Sequence, residues 1–346
     1  MSDLQGVRGT RDFYPDEMRL RNWLFSHFCA AAQLHGFEEY DAPVLEYEAL
    51  YTRKAGEEIV EQLYGFEDKG GRRIALRPEM TPSLARMVLA RAGALPLPIK
   101  WFSIPQCWRY ERMQRGRGRE HYQWNVDVWG CEGVEADVEL LAVLCTFFGR
   151  VGLTPGEVGI RVSSRKVLQE VLDSVGVAGE QFAAVCIVVD KLGKLPPDEA
   201  AAQLGKLGLD NTAVATIQRV LGLRDLDTLA AALGDDSGAV AELRSLWALA
   251  EGYGLTEWLE FDGSIVRGLA YYTGPVFEAH DRHGELRAVC GGGRYDRLLS
   301  SFGGKDLPAT GFGFGDMVIL ELLKDRGRLP QLAGSVQDVV FALNPE

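Results

Sequence analysis

The chain has 346 residues, of which 47% are hydrophobic and 25% are charged, as is typical of a globular protein long enough for two domains. No apolar stretch approaches the roughly 18 residues of a membrane span, and the first residues contain no apolar signal core. We therefore expect no membrane contact and a cytoplasmic protein, or an organellar protein without its transit peptide. The formal net charge of −12 argues against nucleic-acid binding by the whole surface but allows a local contact.

The first predicted element is a helix that begins at Pro15 and ends near Gly36, because apolar residues recur there at helical spacing. Residues 38–47 have the composition of a strand. Pro43 lies inside this stretch and cannot donate a hydrogen bond to a neighbouring strand. The stretch is therefore predicted to lie at a sheet edge or a subunit boundary.

A second helix is predicted from Thr81, as the N-cap, with Pro82 as the first helical residue, to about Ala92. Later elements are predicted as a helix over 134–152, a strand over 156–164, short helices over 165–256, and strands with Gly-rich turns over 257–315. Runs of strands without regular alternation with helices indicate an α+β fold, with an antiparallel sheet flanked by helices.

Residues 100–130 are predicted to form a strand, a basic loop and a second strand. Arg112, Arg115, Arg117 and Arg119 crowd the loop of an otherwise acidic chain. Guanidinium groups can each donate two hydrogen bonds to a phosphate, so this pattern indicates binding of a polyanion. The simpler alternative is a charged hairpin tip that prevents edge-to-edge aggregation. It does not explain the charged and amide residues in the two flanking apolar strands.

The six cysteines lie apart in apolar segments without a CxxC pair: Cys29, Cys107, Cys131, Cys145, Cys186 and Cys290. This spacing indicates reduced thiols in the core rather than disulfides or a zinc site, and no metal-binding residues are predicted.

The basic segment resembles motif 2 of the class II aminoacyl-tRNA synthetases, and specifically that of the histidyl-tRNA synthetase family. Four other segments resemble the same family in the same order: GVRGTRDFYPDEM (6–18), ALRPEMTPSLAR (75–86), VRGLAYYTGPVFE (266–278) and CGGGRYDRLL (290–299). Any one could arise by chance, but five in order are strong evidence.

The resemblance implies a class II synthetase-like catalytic core in two parts, residues 1–168 and 257–330, separated by a helical insertion at 169–256. It also implies a homodimer that binds histidine, ATP and the histidine tRNA, with Mg²⁺ accompanying ATP. Residues 331–346 would be a linker and the start of a truncated anticodon-binding domain, unless the chain is a paralogue that never had that domain.

For the nucleotide, the resemblance assigns Arg109 and Arg267 to the α-phosphate as the catalytic cations. It assigns Glu111 to the adenine amino group, Arg117 to the outer phosphates, and His121 to stacking on adenine. A lone loop histidine is otherwise usually just solvated.

For the amino acid, the resemblance assigns Glu79, Thr81 and Gln123 to the ammonium group, which offers three donors and no acceptor. Asp127 and Tyr272, with Tyr271 beside them, would contact the imidazole ring. Without the resemblance, Glu79 and Thr81 are the start of a helix and the two tyrosines are aromatic residues of a sheet.

Three positions depart from the family pattern. Met317 and Val318 follow GFGFGD where the family usually has Glu-Arg, so the arginine of motif 3 is missing. Ala270 replaces a frequent aspartate, and Asp127 is shorter than the frequent glutamate. These departures leave two alternatives open: an inactive paralogue such as the regulatory subunit of ATP phosphoribosyltransferase, or an RNA-binding or kinase-linked pseudo-synthetase module.

Overall fold

The computed structural model describes residues 4–52, 60–177, 180–189, 197–234, 236–265, 271–284, 286–332 and 334. In chain order the helices of this part are α1 (Pro15–Leu34), α2 (Ala49–Thr52), α3 (Thr81–Ala90), α4 (Glu135–Arg150), α5 (Arg165–Ser174), α6 (Glu180–Val189), α7 (Pro197–Lys206), α8 (Asn211–Leu221), α9 (Leu226–Leu233), α10 (Gly238–Gly252), α11 (Leu298–Ser301) and α12 (Asp316–Asp325).

The strands are β1 (Glu38–Glu39), β2 (Leu45–Tyr47), β3 (Tyr64–Glu67), β4 (Arg73–Leu76), β5 (Ile99–Ser103), β6 (Gln106–Trp108), β7 (Glu120–Trp129), β8 (Val158–Ser164), β9 (Leu259–Phe261), β10 (Pro275–Asp281), β11 (Cys290–Arg294) and β12 (Ala309–Gly315). None of the described helices is long and apolar enough to cross a membrane.

The main sheet has nine strands within the described ranges, in the order β1-β5-β7-β12-β11-β10-β8-β9, with β6 paired to the first part of β7. The β1–β5 and β8–β9 pairs are parallel and the other pairs are antiparallel. The predicted α+β class, a mostly antiparallel sheet flanked by helices, is confirmed. A separate sheet, β2-β4-β3, lies outside the main one.

One face of the main sheet packs on α1 and α4 through aromatic rings. Trp124 of β7 stacks on Phe28 of α1 at 4.6 Å between ring centroids, and Phe28 also meets Phe147 of α4 at 4.7 Å. Phe314 of β12 meets Phe147 edge-on at 5.2 Å. All four rings are fully buried, so this face anchors the centre of the sheet.

The opposite face carries a smaller apolar cluster. Trp129 of β7 packs there with Tyr295, and Leu84 of α3 and Leu298 of α11 belong to the same cluster. Because side chains alternate along a strand, residues 123, 125 and 127 of β7 are on this second face, whereas residues 124, 126 and 128 are on the α1–α4 face. The register of β7 therefore decides which of its polar side chains lie together on the second face of the sheet.

Residues 165–256 contain the predicted short helices α5 to α10. Their apolar side chains belong to the same continuous core as those of the sheet, from Phe28 of α1 to Leu229 of α9. Helix α10 contacts α4 and β8 directly. The helical segment and the sheet thus share a buried core.

The structure corrects two local predictions. Thr81 is the first residue of α3 and Met80 is the N-cap, without a side-chain capping bond, so the start of the helix lies one residue earlier than predicted. Residues 38–47 form two short strands in different sheets rather than one strand, with Pro43 in the break between them. Proline ends the ladder there because it has no N–H to donate.

Candidate active site

The basic loop connects β6 to β7, which pair antiparallel with each other. Arg109 follows β6 directly, and its N–H donates to the Arg119 carbonyl over 2.9 Å, which closes the base of the loop. Gly116 lies at the tip with φ of +70°, a left-handed conformation that glycine adopts without strain. The predicted strand–loop–strand arrangement is confirmed.

Glu111 is shared by two arginines of this segment. Arg117 Nε lies 2.6 Å from Glu111 Oε2, an ion pair without hydrogen-bond alignment, and Arg109 Nη1 lies 3.9 Å from Glu111 Oε1. Arg109 Nε donates to the Pro78 carbonyl over 2.8 Å. Within the described residues the terminal nitrogens of Arg109 make no hydrogen bond, so they are available for an anionic ligand.

The other loop arginines are directed elsewhere. Arg115 pairs with Glu321 at 2.8 Å and with Asp325 at 2.6 Å, both on α12. The guanidinium of Arg119 lies 3.9 Å from the centre of the Tyr110 ring. Arg112 is exposed. Carboxylates and an aromatic ring of the protein therefore fix two of the four loop arginines, Arg115 and Arg119.

His121 of β7 lies near this cluster and is uncharged at neutral pH. Burial lowers its pKa to about 3, and the positive charge of Arg109 contributes in the same direction. Its Nε2 lies 3.4 Å from the Gln123 side-chain oxygen. A neutral imidazole can stack on a neutral base without the cost of burying a charge.

Gln123, Asn125 and Asp127 project from alternate positions of β7 into the second face of the sheet. The Gln123 amide donates to Asn125 Oδ1 over 3.0 Å. Asp127 is 1% exposed, and the Tyr295 hydroxyl donates a hydrogen bond to its Oδ1. Its other oxygen, Oδ2, is buried and has no hydrogen-bond partner among the described residues. A buried acceptor without a donor is costly, so this oxygen is a candidate contact for a ligand N–H.

Burial raises the pKa of Asp127 from its ordinary value of 3.8 to about 7, although the bond from Tyr295 acts in the opposite direction. The folded protein therefore holds a proton at this site that the unfolded chain loses near pH 4. We predict that stability falls by about 2 kcal/mol between pH 5 and pH 7 through this group and levels off above its folded pKa. Urea unfolding of the wild type and of Asp127→Asn checks this: the variant should lack that part of the fall, and an equal fall in both proteins would contradict it.

The glycine repeat of β12 provides the space for these side chains. A Cβ at Gly311 would lie 2.2 Å from Asp127 Oδ1 and 2.7 Å from the Tyr295 hydroxyl. A Cβ at Gly313 would lie 2.5 Å from the Gln123 amide nitrogen. The repeat therefore has a physical role in the site that does not depend on bound nucleotide.

Gly311→Ala is expected to displace Asp127 and Tyr295 and to destabilise the fold by about 1–3 kcal/mol, as overpacking of a buried site does. Gly315→Ala is the matched control on the same strand, because its Cβ would meet nothing within 4 Å. Thermal unfolding measures both variants. Similar stability of the two would mean that the site relaxes around the added methyl group.

Tyr271 and Tyr272, the two described tyrosines of the 266–278 segment, lie near Tyr295. Tyr271 packs edge-on against Tyr295 at 5.8 Å, and Tyr272 is tilted against Tyr271 at 5.2 Å. The structure brings Tyr271 next to Tyr295 and thus next to the partner of Asp127. Arg267 and Ala270, by contrast, lie outside the described residues.

Glu79 and Thr81 lie at the start of α3, where both are 8% exposed. The Trp108 N–H donates to the Arg77 carbonyl over 2.9 Å, so this turn runs alongside β6. Burial raises the pKa of Glu79, and the charge of Arg109 partly opposes this. The turn therefore places Glu79 in the electrostatic field of Arg109.

The end of the glycine repeat is built differently from the family pattern. Asp316, the first residue of α12, forms an ion pair with Arg11 at 2.9 Å and accepts a hydrogen bond from the Tyr122 N–H at 3.0 Å. Val318 is buried, and a Cβ at Gly116 would lie 3.1 Å from its side chain. An aliphatic contact with the tip of the basic loop thus lies where the family resemblance would place the motif 3 arginine.

Sequence reasoning missed Asn125, Tyr295 and Arg11. Tyr295 lies within the CGGGRYDRLL segment, Arg11 lies within GVRGTRDFYPDEM, and Asn125 shares the alternation of Gln123 and Asp127. The alternation could have identified Asn125. Arg11 also pairs with Glu120 at 3.3 Å, so it joins the start of β7 to the start of α12.

Comparison with known proteins identifies the family of the chain. The sequence model of the histidyl-tRNA synthetase family matches residues 9–316. The chain is 56% identical over 344 residues to the chloroplastic/mitochondrial histidine–tRNA ligase of Arabidopsis thaliana, covering 99% of this chain and 71% of that protein. It is 46% identical over 341 residues to the histidine–tRNA ligase of Opitutus terrae, covering 95% and 77% of the two chains.

A crystal structure from Bacillus halodurans, described as an ATP phosphoribosyltransferase regulatory subunit/histidyl-tRNA synthetase, superposes with a TM-score of 0.80 at 24% identity. It covers 95% of this chain and 83% of that one, and at this identity it shows a shared fold only. The family match and the two ligases carry the identification. The chain belongs to the histidyl-tRNA synthetase family.

Proposed function

We propose that this protein is a histidine–tRNA ligase, which joins histidine to ATP to form histidyl-adenylate and pyrophosphate and then transfers histidine to the 3′ end of its tRNA. The observation that carries this proposal is the arrangement of charged residues around β7. The residues that would bind the nucleotide lie at the start of this strand, and a buried carboxylate lies near its end. Arg109, Glu111 and Arg117 lie at one end, and Asp127 with an unpaired oxygen lies at the other.

In the first step a histidine carboxylate oxygen forms a bond to the α-phosphorus, and the bond to the departing pyrophosphate breaks. Negative charge is redistributed over the phosphate oxygens, so fixed cations accelerate the step more than covalent help does. Arg109 would supply this charge from the loop side, with its Nε held by the Pro78 carbonyl. Arg267, assigned by the family resemblance, would supply it from the far side. In the second step a ribose hydroxyl of the tRNA attacks the histidyl carbonyl, and AMP leaves.

For the nucleotide we propose that Glu111 accepts from the adenine amino group, Arg117 binds the outer phosphates and His121 stacks on the base. Glu111 and Arg117 neutralise each other in the structure at 2.6 Å. Bound ATP would separate this pair, because its adenine amino group would contact Glu111 and its outer phosphates would contact Arg117. His121 suits the role because its lowered pKa keeps it neutral.

For histidine we propose that Glu79, Thr81 and Gln123 hold the ammonium group and that Asp127 accepts from the imidazole ring. Tyr271 and Tyr272 would line the same pocket, since Tyr271 packs on the Tyr295 ring that holds Asp127. A site that hydrogen-bonds both ring nitrogens rejects analogues that lack them.

We propose that Mg²⁺ accompanies ATP. Mg²⁺ prefers oxygen ligands and is commonly held by one or two carboxylates together with phosphates. No cluster of three or more His, Cys, Asp or Glu side chains in the described part of the chain could hold a metal alone. Phosphate oxygens would therefore supply much of its coordination.

The regulatory alternative is the weaker account. The structural likeness to the Bacillus halodurans protein is at 24% identity and does not separate ligase from regulatory subunit. The relatives at 56% and 46% identity are both named as ligases. Retention of Arg109, Glu111 and Arg117 around one cluster also fits nucleotide chemistry, which a purely regulatory subunit does not need.

Histidine-dependent exchange of pyrophosphate into ATP tests the proposed function, followed by charging of histidine tRNA. Exchange that requires histidine and does not occur with phenylalanine supports the proposal. ATP binding without exchange would instead favour an inactive paralogue, and charging without amino-acid selectivity would refute the histidine assignment.

We also propose that the protein is a homodimer that meets its partner through the small sheet. Leu45 and Tyr47 of β2 and Phe66 of β3 are 47%, 57% and 44% exposed, so this sheet presents apolar side chains to solvent. Such a patch is typical of an interaction surface.

We propose that the protein is located in the cytoplasm, which is a reducing compartment, since all six cysteines are free.

Replacing Tyr47 and Phe66 together by aspartate is expected to convert the dimer to a monomer, because two buried unpaired charges would oppose association. Light scattering after size-exclusion chromatography measures the mass. Tyr253→Asp is the matched control, since Tyr253 is 60% exposed in the helical segment. A dimer that survives the double substitution would place the interface elsewhere.

A further inference from the structure

Arg287 lies in the connection between β10 and β11, three residues before β11 begins. Cys290 is paired with Phe314 of β12, which is paired in turn with Trp124 of β7. These pairings place the β10–β11 connection at the end of the sheet where β7 begins and where β12 passes into α12. Arg287 thus approaches the nucleotide end of β7 from a segment to which the family resemblance assigns no ATP contact.

The electrostatic surroundings of Arg287 agree with this placement. Loss of hydration lowers its pKa, and the positive charges of Arg117 and then Arg109 act in the same direction, while Glu111 and Glu278 oppose them. Arg287 in turn contributes to the lowered pKa of His121. Glu111 is thus paired with Arg117 and Arg109, and Arg287 lies within electrostatic range of all three.

Arg287 nevertheless lacks a direct partner, because Glu111 and Glu278 act on its pKa without forming an ion pair with it. It makes no hydrogen bond or ion pair with any described residue, and its side chain is exposed. Glu111 is already occupied by Arg117 at 2.6 Å. Arg282, in the same connection, is instead satisfied by an ion pair with Glu260 and donates to the Glu257 carbonyl over 3.1 Å. An exposed guanidinium without a partner, close to two other arginines, is free to bind an anionic ligand.

We propose that Arg287 binds the outer phosphates of ATP and supplies the positive charge that is missing at the motif 3 position. Met317 and Val318 occupy that position with apolar side chains, and Arg287 lies in a connection at the same end of the sheet. Arg117 is its strongest charged neighbour, so the β- and γ-phosphates are the groups that the two guanidiniums would share. This inference rests on the proposed ligase function.

Arg287→Gln tests the contact through pyrophosphate exchange. The variant should raise the KM for ATP and for pyrophosphate by about 10- to 100-fold, the usual effect of losing one hydrogen-bonded charge, and leave the KM for histidine unchanged. Arg287→Lys should restore part of the lost affinity, because lysine keeps the positive charge but cannot donate two parallel hydrogen bonds as a guanidinium does. Arg282→Gln is the matched control and should keep wild-type values for ATP. The Tm of Arg287→Gln should lie within about 2 °C of that of the wild type, since the substitution replaces an exposed side chain that has no direct partner.

Calorimetry with ATP and with AMP separates the possible outcomes and does not require turnover. A loss of affinity for ATP but not for AMP supports contact with the outer phosphates. Equal losses for both nucleotides would overturn that assignment, and unchanged ATP binding would overturn the role of Arg287 altogether. Failure of the wild type to exchange pyrophosphate with histidine would refute the ligase function, while the ATP titration would still decide the contact.

Discussion

Replacing Arg109 by lysine is expected to slow histidyl-adenylate formation by about 1,000-fold, near the upper end of the cost of removing one preorganised donor. Arg109 Nε is fixed to the Pro78 carbonyl at 2.8 Å, and its terminal nitrogens are free of other hydrogen bonds among the described residues. A lysine ammonium cannot hold this carbonyl and present a two-donor fork to phosphate at once. The lysine would keep a positive charge at position 109, but this charge would no longer be held in a fixed place by the Pro78 carbonyl.

The measurement is the rate of pyrophosphate exchange at saturating ATP and histidine. Arg72→Lys is the matched control, because Arg72 forms an exposed ion pair with Asp68 far from this loop in sequence. Retention of most activity in Arg109→Lys would mean that Arg109 acts only as a point charge, and the proposed bidentate contact would then be wrong.

Asp127→Asn is expected to weaken histidine binding by about 100-fold or more while ATP affinity stays close to that of the wild type. The buried Oδ2 of Asp127 has no partner among the described residues, and the Tyr295 hydroxyl already donates to Oδ1. A carboxylate can accept from the imidazole N–H at Oδ2. An asparagine that keeps the bond from Tyr295 presents its NH₂ group there instead, so two donors would face each other.

Calorimetric titration with histidine and with ATP separates the two effects. Asp306→Asn, at an exposed position, is the control for the same chemical change. Unchanged histidine affinity in Asp127→Asn would show that another group reads the imidazole. A parallel loss of ATP affinity would point to a disturbed sheet rather than to a lost contact.

The residues nearest one another along the chain were the easiest to predict. Arg109, Glu111 and Arg117 fall within one loop, and the two flanking strands are recognisable from their apolar pattern. Alternation along β7 also places Gln123 and Asp127 on one face without knowledge of the fold. The helices α1 and α4 followed from helical spacing in the same way, with errors of one or two residues at their ends.

Contacts between distant segments could not be predicted in this way. Asp127 meets Tyr295, 168 residues later, only because β7, β12 and β11 are adjacent in the sheet and Gly311 leaves a gap between them. Arg115 binds α12, whose carboxylates lie over 200 residues further along the chain, and nothing in the loop sequence indicates this pairing. The proposed role of Arg287 likewise depends on the order of the strands, which brings the β10–β11 connection to the end of the sheet where β7 begins.

The sequence by itself thus determined most of the elements, the family and the local groups to which we assign phosphate binding. Hydrophobic periodicity, turn residues and motif spacing are local properties that can be read along the chain. The tertiary structure decided which carboxylates neutralise which arginines, and which buried oxygen of Asp127 is left without a donor. These outcomes depend on strand order and register, because a shift of one residue would turn every side chain of β7 to the opposite face of the sheet.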